Sequence, residues 1–219
     1  TGLQYVAAIR GCNTGLQYVT APDYRLSCAI LRHFCQHKER SMSGILVETI
    51  GKVVTVTLDC PPVNALTMAR YQEITTIFNA ISQRDDVHCV VLGATGNKAF
   101  CAGLDLQEFL NAPADQDSER AAIVRAMFAA VRHCAIPVIA AVNGVAMGGG
   151  FEIVLASDIV VASQNALFAL PEPRVGLAAL AGGIQRLPRE IGLKRAMGMM
   201  LTGRRVTAHE GCQLGFVNE

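Results

Sequence analysis

From Gly44 onward the apolar positions alternate between short strand-like runs and longer segments with helical spacing. The β-branched runs ILVETI (45–50) and KVVTVTLD (52–59) flank Gly51–Lys52, which predicts a hairpin. Next, Met68, Tyr71, Ile74, Ile77, Phe78 and Ile81 recur at intervals of three and four, the pattern of a helix burying one face, with Thr67 placed to cap it. HCVVLGA (88–94) reads as a short buried strand, Ser118 to about Cys134 as a second helix, and PVIAAV (137–142) as another buried strand. A glycine-led helix is expected within VAMGGGFEIVLASD (145–158), then strands at DIVVAS (158–163) and ALFAL (166–170). Helical segments at GGIQRLPREIG (182–192), KRAMGMMLTG (194–203) and TAHEGCQLG (207–215) close the chain. Strands alternating with helices over short connections predict one mixed α/β domain.

Composition supports a large core. The 219-residue chain is 51% hydrophobic and 17% charged, with a formal net charge of +1. It has no Trp and no basic stripe interleaved with aromatics, so nucleic acid is not expected as a partner. Apolar runs such as IPVIAAV (136–142) fall far short of the ~20 residues a bilayer crossing requires, so no membrane partner is expected either. Eight cysteines, Cys12, Cys28, Cys35, Cys60, Cys89, Cys101, Cys134 and Cys212, are scattered without a C-x-x-C or a Cys/His cluster. They read as reduced structural thiols rather than metal ligands, in a reducing compartment.

Residues 1–41 differ from the rest. TGLQYV occurs twice, at 1–6 and 14–19, and apolar periodicity is missing. The segment carries five basic residues, Arg10, Arg25, Arg32, Lys38 and Arg40, against Asp23 and Glu39, a balance of 5 − 2 = +3. An organellar transit peptide is one reading. The favoured one is an extension upstream of a domain that starts at Met42 and runs to Glu219.

The chemistry concentrates in two places. Gly148, Gly149 and Gly150 open a helix, where backbone N–H groups lack intrahelical partners and the dipole is positive. Without a Cβ, a negative ligand atom can come close. Tight helix–strand packing is the plain alternative. A phosphate loop is a third reading, against which stand the missing G-K-[ST] ending and G-x-G-x-x-G spacing. The second place is NKAFCAGLDLQEFL (97–110), where Ala102–Gly103 precede a short helix that Asp105 is placed to cap. Two such donors form an oxyanion hole. Glu152 lies just inside the glycine-led helix, and Glu172 lies between Pro171 and Pro173. Each alone reads as an ion pair or a loop carboxylate; facing one oxyanion hole they are an acid/base pair.

In order and spacing, PPVNALT, KAFCAGLDLQEF, PVIAAVNGVAMGGGFEIVLASDIVVAS, FALPEPRVGL, GGIQRLPREIG and LTGRRVTAHEGCQLGFVN resemble the crotonase superfamily, the enoyl-CoA hydratase/isomerase family. The resemblance implies a spiral of ββα repeats and a homotrimer or dimer of trimers. It places the oxyanion donors on the N–H groups of Leu104 and Gly149 and the hydratase glutamates on Glu152 and Glu172. Ala102, Gly103, Leu104, Asp105 and Gly148 then line the substrate and CoA site. It implies hydration of a trans-2-enoyl-CoA thioester, with no metal and no cofactor beyond the CoA of the substrate, in the cytoplasm or the mitochondrial matrix. An enoyl-CoA isomerase and a carnitinyl-CoA-type dehydratase are the alternatives within the family. Three departures stand out: GLAALAGGIQ (176–185) lacks the Pro-Gly found in many members, Gln107 replaces a lysine, and the chain stops at Glu219. The last implies a fold lacking its C-terminal helices, and with it the further alternative of an inactive truncated member.

Overall fold

The computed structural model describes residues 44–219; the extension expected over residues 1–41, with Cys12, Cys28, Cys35 and the Met42 start, lies outside the described residues. The expected hairpin is formed by β1 (Gly44–Ile50) and β2 (Val53–Asp59), antiparallel from Gly44↔Asp59 to Ile50↔Val53. After the two-residue β3 (Ala65–Leu66), α1 spans Met68–Ile81. The Thr67 hydroxyl accepts from the Arg70 N–H at 3.4 Å, as a cap should. Tyr71, Ile74, Phe78 and Ile81 are the buried face of α1, while Met68 and Ile77 pack at its margin.

The chain then repeats one move. β4 (Cys89–Ala94), β7 (Val138–Val142) and β9 (Ile159–Ala162) each join the first sheet, ordered β1-β2-β4-β7-β9. Each is followed by a three-residue strand, β5 (Ala99–Cys101), β8 (Val145–Met147) or β10 (Leu167–Ala169), in a second sheet. That sheet is ordered β11-β10-β8-β5, where β11 is Val206–Thr207. Helices complete each turn: α2 (Leu106–Asn111) and α3 (Asp117–Arg132), then α4 (Gly149–Ala156), then α5 (Gly183–Ile191). The pairings β2/β4, β4/β7, β7/β9, β5/β8 and β8/β10 are all parallel, as crossovers through helices require. This is the ββα arrangement that the resemblance implies. α6 (Leu193–Thr202) and α7 (Ala208–Leu214) follow.

The short second-sheet strands carry no hydrophobic period of their own. Buried asparagines help to fix the loops that lead to them. Asn143 Nδ2 donates to the carbonyls of Ala94 at 3.1 Å and Gly96 at 2.7 Å. Asn64 Nδ2 donates to Ala99 O at 3.0 Å, and its Oδ1 accepts from Cys60 N at 2.9 Å. Each side chain thus satisfies backbone groups that would otherwise be orphaned. Cys60, Cys89, Cys101, Cys134 and Cys212 are free thiols, and only Cys212 is exposed.

At the centre sits α4, buried from Gly150 to Ala156 and apolar on all sides except for Glu152. Phe151 meets Phe168 and Phe216 at ring separations of 5.3 and 5.1 Å. The helix lies so close to β5 that a Cβ on Gly150 would stand 2.0 Å from the Cys101 carbonyl oxygen. Gly150→Ala should therefore cost roughly 2–3 kcal/mol through overpacking. Gly198→Ala, at an exposed position of α6 with nothing within 4 Å of the new Cβ, should gain up to about 1 kcal/mol by helix propensity. Urea unfolding of the two variants checks the contrast, and equal stabilities would refute the tight contact.

Candidate active site

Two backbone segments meet at the start of α4. Gly103 takes φ +88°, and a Cβ there would lie 2.8 Å from the Gly149 nitrogen and 3.0 Å from the Met147 carbonyl oxygen. Seen from the other side, the Cβ position of Gly149 is 3.4 Å from Gly103 Cα and 3.8 Å from the Leu104 nitrogen. Residues without side chains thus let β6 (Gly103–Leu104) lie against the end of the helix. Gly149 is the first residue of α4, so its N–H has no acceptor within the helix.

Neighbouring donors are engaged elsewhere. Ala102 N–H goes to Val63 O at 3.1 Å, Asp105 N–H to Leu66 O at 2.9 Å, and Gly103 N–H to Cys101 Sγ at 3.3 Å. The Asp105 carboxylate caps α2, accepting from the N–H groups of Gln107 and Glu108 at 2.9 and 3.0 Å. The Leu104 and Gly149 nitrogens thus belong to backbone segments in contact at the helix start, where a pair of N–H donors can hold one oxygen carrying negative charge.

Both glutamates singled out from the sequence come to this place. Glu152, on the first turn of α4, is 3% exposed. Its Oε1 accepts from the Gly183 N–H at 2.8 Å. Burial pushes its carboxyl up from 4.5 to about 7, and the negative charge of Glu172 adds to that rise. The N–H groups of Gly183 and Ala181 and the Arg186 guanidinium act in the opposite sense. Glu172 begins a 3-10 turn, Glu172–Val175, rather than an exposed loop. Its Oε1 sits 3.2 Å from the Cβ position of Gly148, which takes φ +53°, so only a glycine leaves it that room. Its Oε2 is buried with no hydrogen-bond partner among the described residues, and desolvation raises its pKa as well. The two carboxylates therefore flank one helix start, and their mutual repulsion favours holding a proton between them.

The structure adds groups that spacing did not reveal. Tyr71, placed only as a core residue of α1, brings its hydroxyl to 3.1 Å from the Gly149 Cβ position. The start of α5 supplies the Gly183 N–H that holds Glu152; the Gly182–Gly183 pair is its one sign in the sequence. A groove of about 290 Å³ opens from Glu172, lined by Leu170, Leu177, Ala179, Ile184, Met197 and Leu201 among others. The groove is apolar at Leu177, Ala178 and Ala179, whereas Leu180 is not part of the lining and is 70% exposed. Among the described residues no group of three or more His, Cys, Asp or Glu side chains could hold a metal ion, and no helix is long and apolar enough to cross a membrane.

Known proteins share this architecture. The model of the family described as enoyl-CoA hydratase/isomerase matches residues 48–219. The chain is 42% identical over 163 residues to YngF of Bacillus subtilis, named at the level of enoyl-CoA hydratase/isomerase, covering 74% of this chain and 63% of that protein. It is 35% identical over 173 residues to the carnitinyl-CoA dehydratase of Proteus mirabilis, covering 78% and 65%. The crystal structure of an enoyl-CoA hydratase from Bacillus anthracis matches with a TM-score of 0.77 at 37% identity, covering 80% of this chain and 68% of that one. The chain thus spans a little under two thirds of the length of these two curated relatives.

The raised pKa of Glu152 has a consequence that needs no substrate. Between pH 4.5 and about 7 the folded state holds a proton on Glu152 that the unfolded chain has released. Stability contributed by this group is therefore full below pH 4.5 and is lost as pH rises to about 7. Glu152→Gln keeps an acceptor for Gly183 and carries no charge. The variant should gain stability relative to wild type as pH rises from 5 to 8, by up to roughly 3 kcal/mol at 1.36 kcal/mol per unit. Urea unfolding at both pH values checks this, and a difference independent of pH would contradict the buried carboxylate.

Proposed function

The chain belongs to the enoyl-CoA hydratase/isomerase family, and on that premise we propose that it catalyses the reversible syn addition of water to a trans-2-enoyl-CoA thioester. The single observation that supports the reading is the pair of carboxylates, Glu152 and Glu172, brought together at the start of α4. In this reaction the N–H groups of Leu104 and Gly149 bond the thioester oxygen and stabilise its developing enolate charge. Glu152 takes a proton from water while the water oxygen bonds to Cβ. The Cβ=Cα double bond opens, and Glu172 delivers its proton to Cα. One proton enters the pair and one leaves, so the pair as a whole is unchanged.

The electrostatics fit a pair that shares one proton. Glu152, the more enclosed carboxyl, has its pKa near neutrality, which suits a general base or acid at physiological pH. The buried Glu172 Oε2, without a partner among the described residues, is available to a substrate carbon. The groove running from Glu172 takes the acyl chain, and its Leu, Ile and Met lining suits an apolar one. As in the family at large, the acting species is taken to be a trimer or a dimer of trimers.

A second reading within the family has a specific observation behind it. With the proton resting on the more enclosed Glu152, the pair stands ready to protonate a departing hydroxyl while Glu172 removes the Cα proton. That is the dehydration direction, as in the carnitinyl-CoA dehydratase likeness. The apolar groove favours a simple acyl chain over a charged carnitine-like one. Offered crotonyl-CoA, the protein should cause loss of the conjugated enoyl-thioester absorbance. Glu152→Gln and Glu172→Gln should each lower kcat by roughly 10²-fold or more with folding intact by circular dichroism. Near-wild-type turnover in either variant would remove the two-carboxylate mechanism, and an inert but folded wild-type chain would favour the inactive alternative.

A further inference from the structure

Glu152 is held from outside its own helix. The Gly183 N–H donates to Oε1 at 2.8 Å, and the backbone at Ala181 also favours the ionised carboxylate. Ala181 and Gly183 flank Gly182, which takes φ +131° where the turn opens into α5. One turn into α5, Arg186 folds back over this segment and donates from Nη1 to the Ala181 carbonyl at 3.0 Å. The guanidinium occupies the space that a side chain at Gly182 would fill: a Cβ there would stand 1.8 Å from Nη1. Arginine, turn and carboxylate thus form one connected unit.

We propose that Arg186 is a positioning residue for Glu152: by gripping the Ala181 carbonyl across the bare Gly182, it sets the turn whose Gly183 N–H fixes the carboxylate beside the start of α4. The inference rests on the proposed reaction, in which Glu152 must present one oxygen to water while the other is held. Helix stability alone gives no reason for this arginine. A cation in the first turn of α5 opposes the helix dipole. Burial also works against its charge, and so does the neighbouring Arg132. Arg132 lies 3.5 Å from Asp158, which offsets part of that repulsion. What favours the cation is the Glu152 carboxylate.

The groups facing Glu152 come from three elements: Glu172 from the 3-10 turn, Arg186 from α5 and Tyr71 from α1. Tyr71 stays neutral, because burial holds its hydroxyl well above the usual phenol range. Arg186 is therefore the one cation among these that favours ionised Glu152, and removing it must raise the pH at which the carboxyl gives up its proton.

The test compares wild type with Arg186→Gln and Arg186→Lys in two measurements. The first is the titration of Glu152 by NMR on protein carrying ¹³C-labelled glutamate side chains, with the signal assigned by its loss in Glu152→Gln. The second is the pH profile of crotonyl-CoA hydration. Arg186→Gln should move the Glu152 midpoint up by about half a unit or more. It should also lower kcat/KM about 10-fold at pH 6 and less than about threefold at pH 9. Arg186→Lys, which keeps the charge without the forked reach, should fall between. Should the Gln variant fail to fold, the Lys variant must still move the midpoint upward. An unmoved midpoint and profile in a folded variant, with only the melting temperature lowered, would overturn the proposal. A shifted midpoint in a chain without hydratase activity would uphold the coupling and refute the proposed reaction instead.

Discussion

Everything at this site depends on how closely α4 approaches the strand run Cys101–Leu104. Gly150 rests its Cα against the Cys101 carbonyl, where a Cβ would intrude to 2.0 Å, and Gly103 faces the Gly149 nitrogen, where one would intrude to 2.8 Å. Packing at that distance forces two segments from different turns of the spiral into one register. It also decides what the glycines are for. Close packing and oxyanion binding are alternative readings of a glycine run in a sequence, but in this fold the packing is present and the proposed oxyanion site would rest on it. The contact that brings Gly149 beside Leu104 is the one that the proposed pair of N–H donors depends on.

A second cost follows from that packing. A helix buried on every side has no place for a charge, yet Glu152 is in it. The price is limited because α5 begins where the carboxylate ends, offering the Gly183 N–H that would otherwise lack a partner. Glu152 therefore also serves as a cap on a neighbouring helix, and the structural and chemical roles do not compete. The cap holds one oxygen, and burial brings the carboxyl to about 7, where on the proposed reaction the other oxygen exchanges protons readily. Compensation is partial, as the raised pKa shows. Full pairing would have left an inert carboxylate.

How much of this was legible in the residues varies with the range of the interaction. α1 with its Thr67 cap, the β1–β2 hairpin and the buried strands β4 and β7 rest on local periodicity and turn chemistry, and the structure has them where the pattern places them. The second helix begins at Asp117 rather than Ser118 and ends at Arg132 rather than Cys134, an end effect of fraying and capping. β3, β5, β6, β8 and β11 are two or three residues long and exist only because a partner strand lies beside them, so no period announces them. At the site, Glu152 and Glu172 could be named because a carboxylate stands out in an apolar or proline-bound stretch. Their meeting could not be read from spacing, and it came only through the family likeness. Tyr71 and Arg186 were invisible for the same reason: each is ordinary in its own helix, and acquires meaning from the segment it touches.

The two carboxylates are held in unequal ways, and that inequality bears on how such a pair can work in both directions. Glu152 has one oxygen fixed by the α5 turn, with Arg186 behind it, so its geometry changes little with protonation. Glu172 stands on a 3-10 turn at the mouth of the apolar groove, with Oε2 buried and without a partner among the described residues. An unpaired buried oxygen is costly unless something fills the space, and a substrate carbon that carries a transferable proton would do so. On the proposed reaction, Glu152 handles the oxygen-bound proton, whose position must be exact to within a hydrogen bond. Glu172 handles the carbon-bound proton, where the substrate itself completes the contact. Binding of an acyl thioester in the groove would then desolvate Glu172 further and raise its hold on the proton, which readies the pair for hydration. Product departure relaxes it, so the same two groups can serve the return reaction.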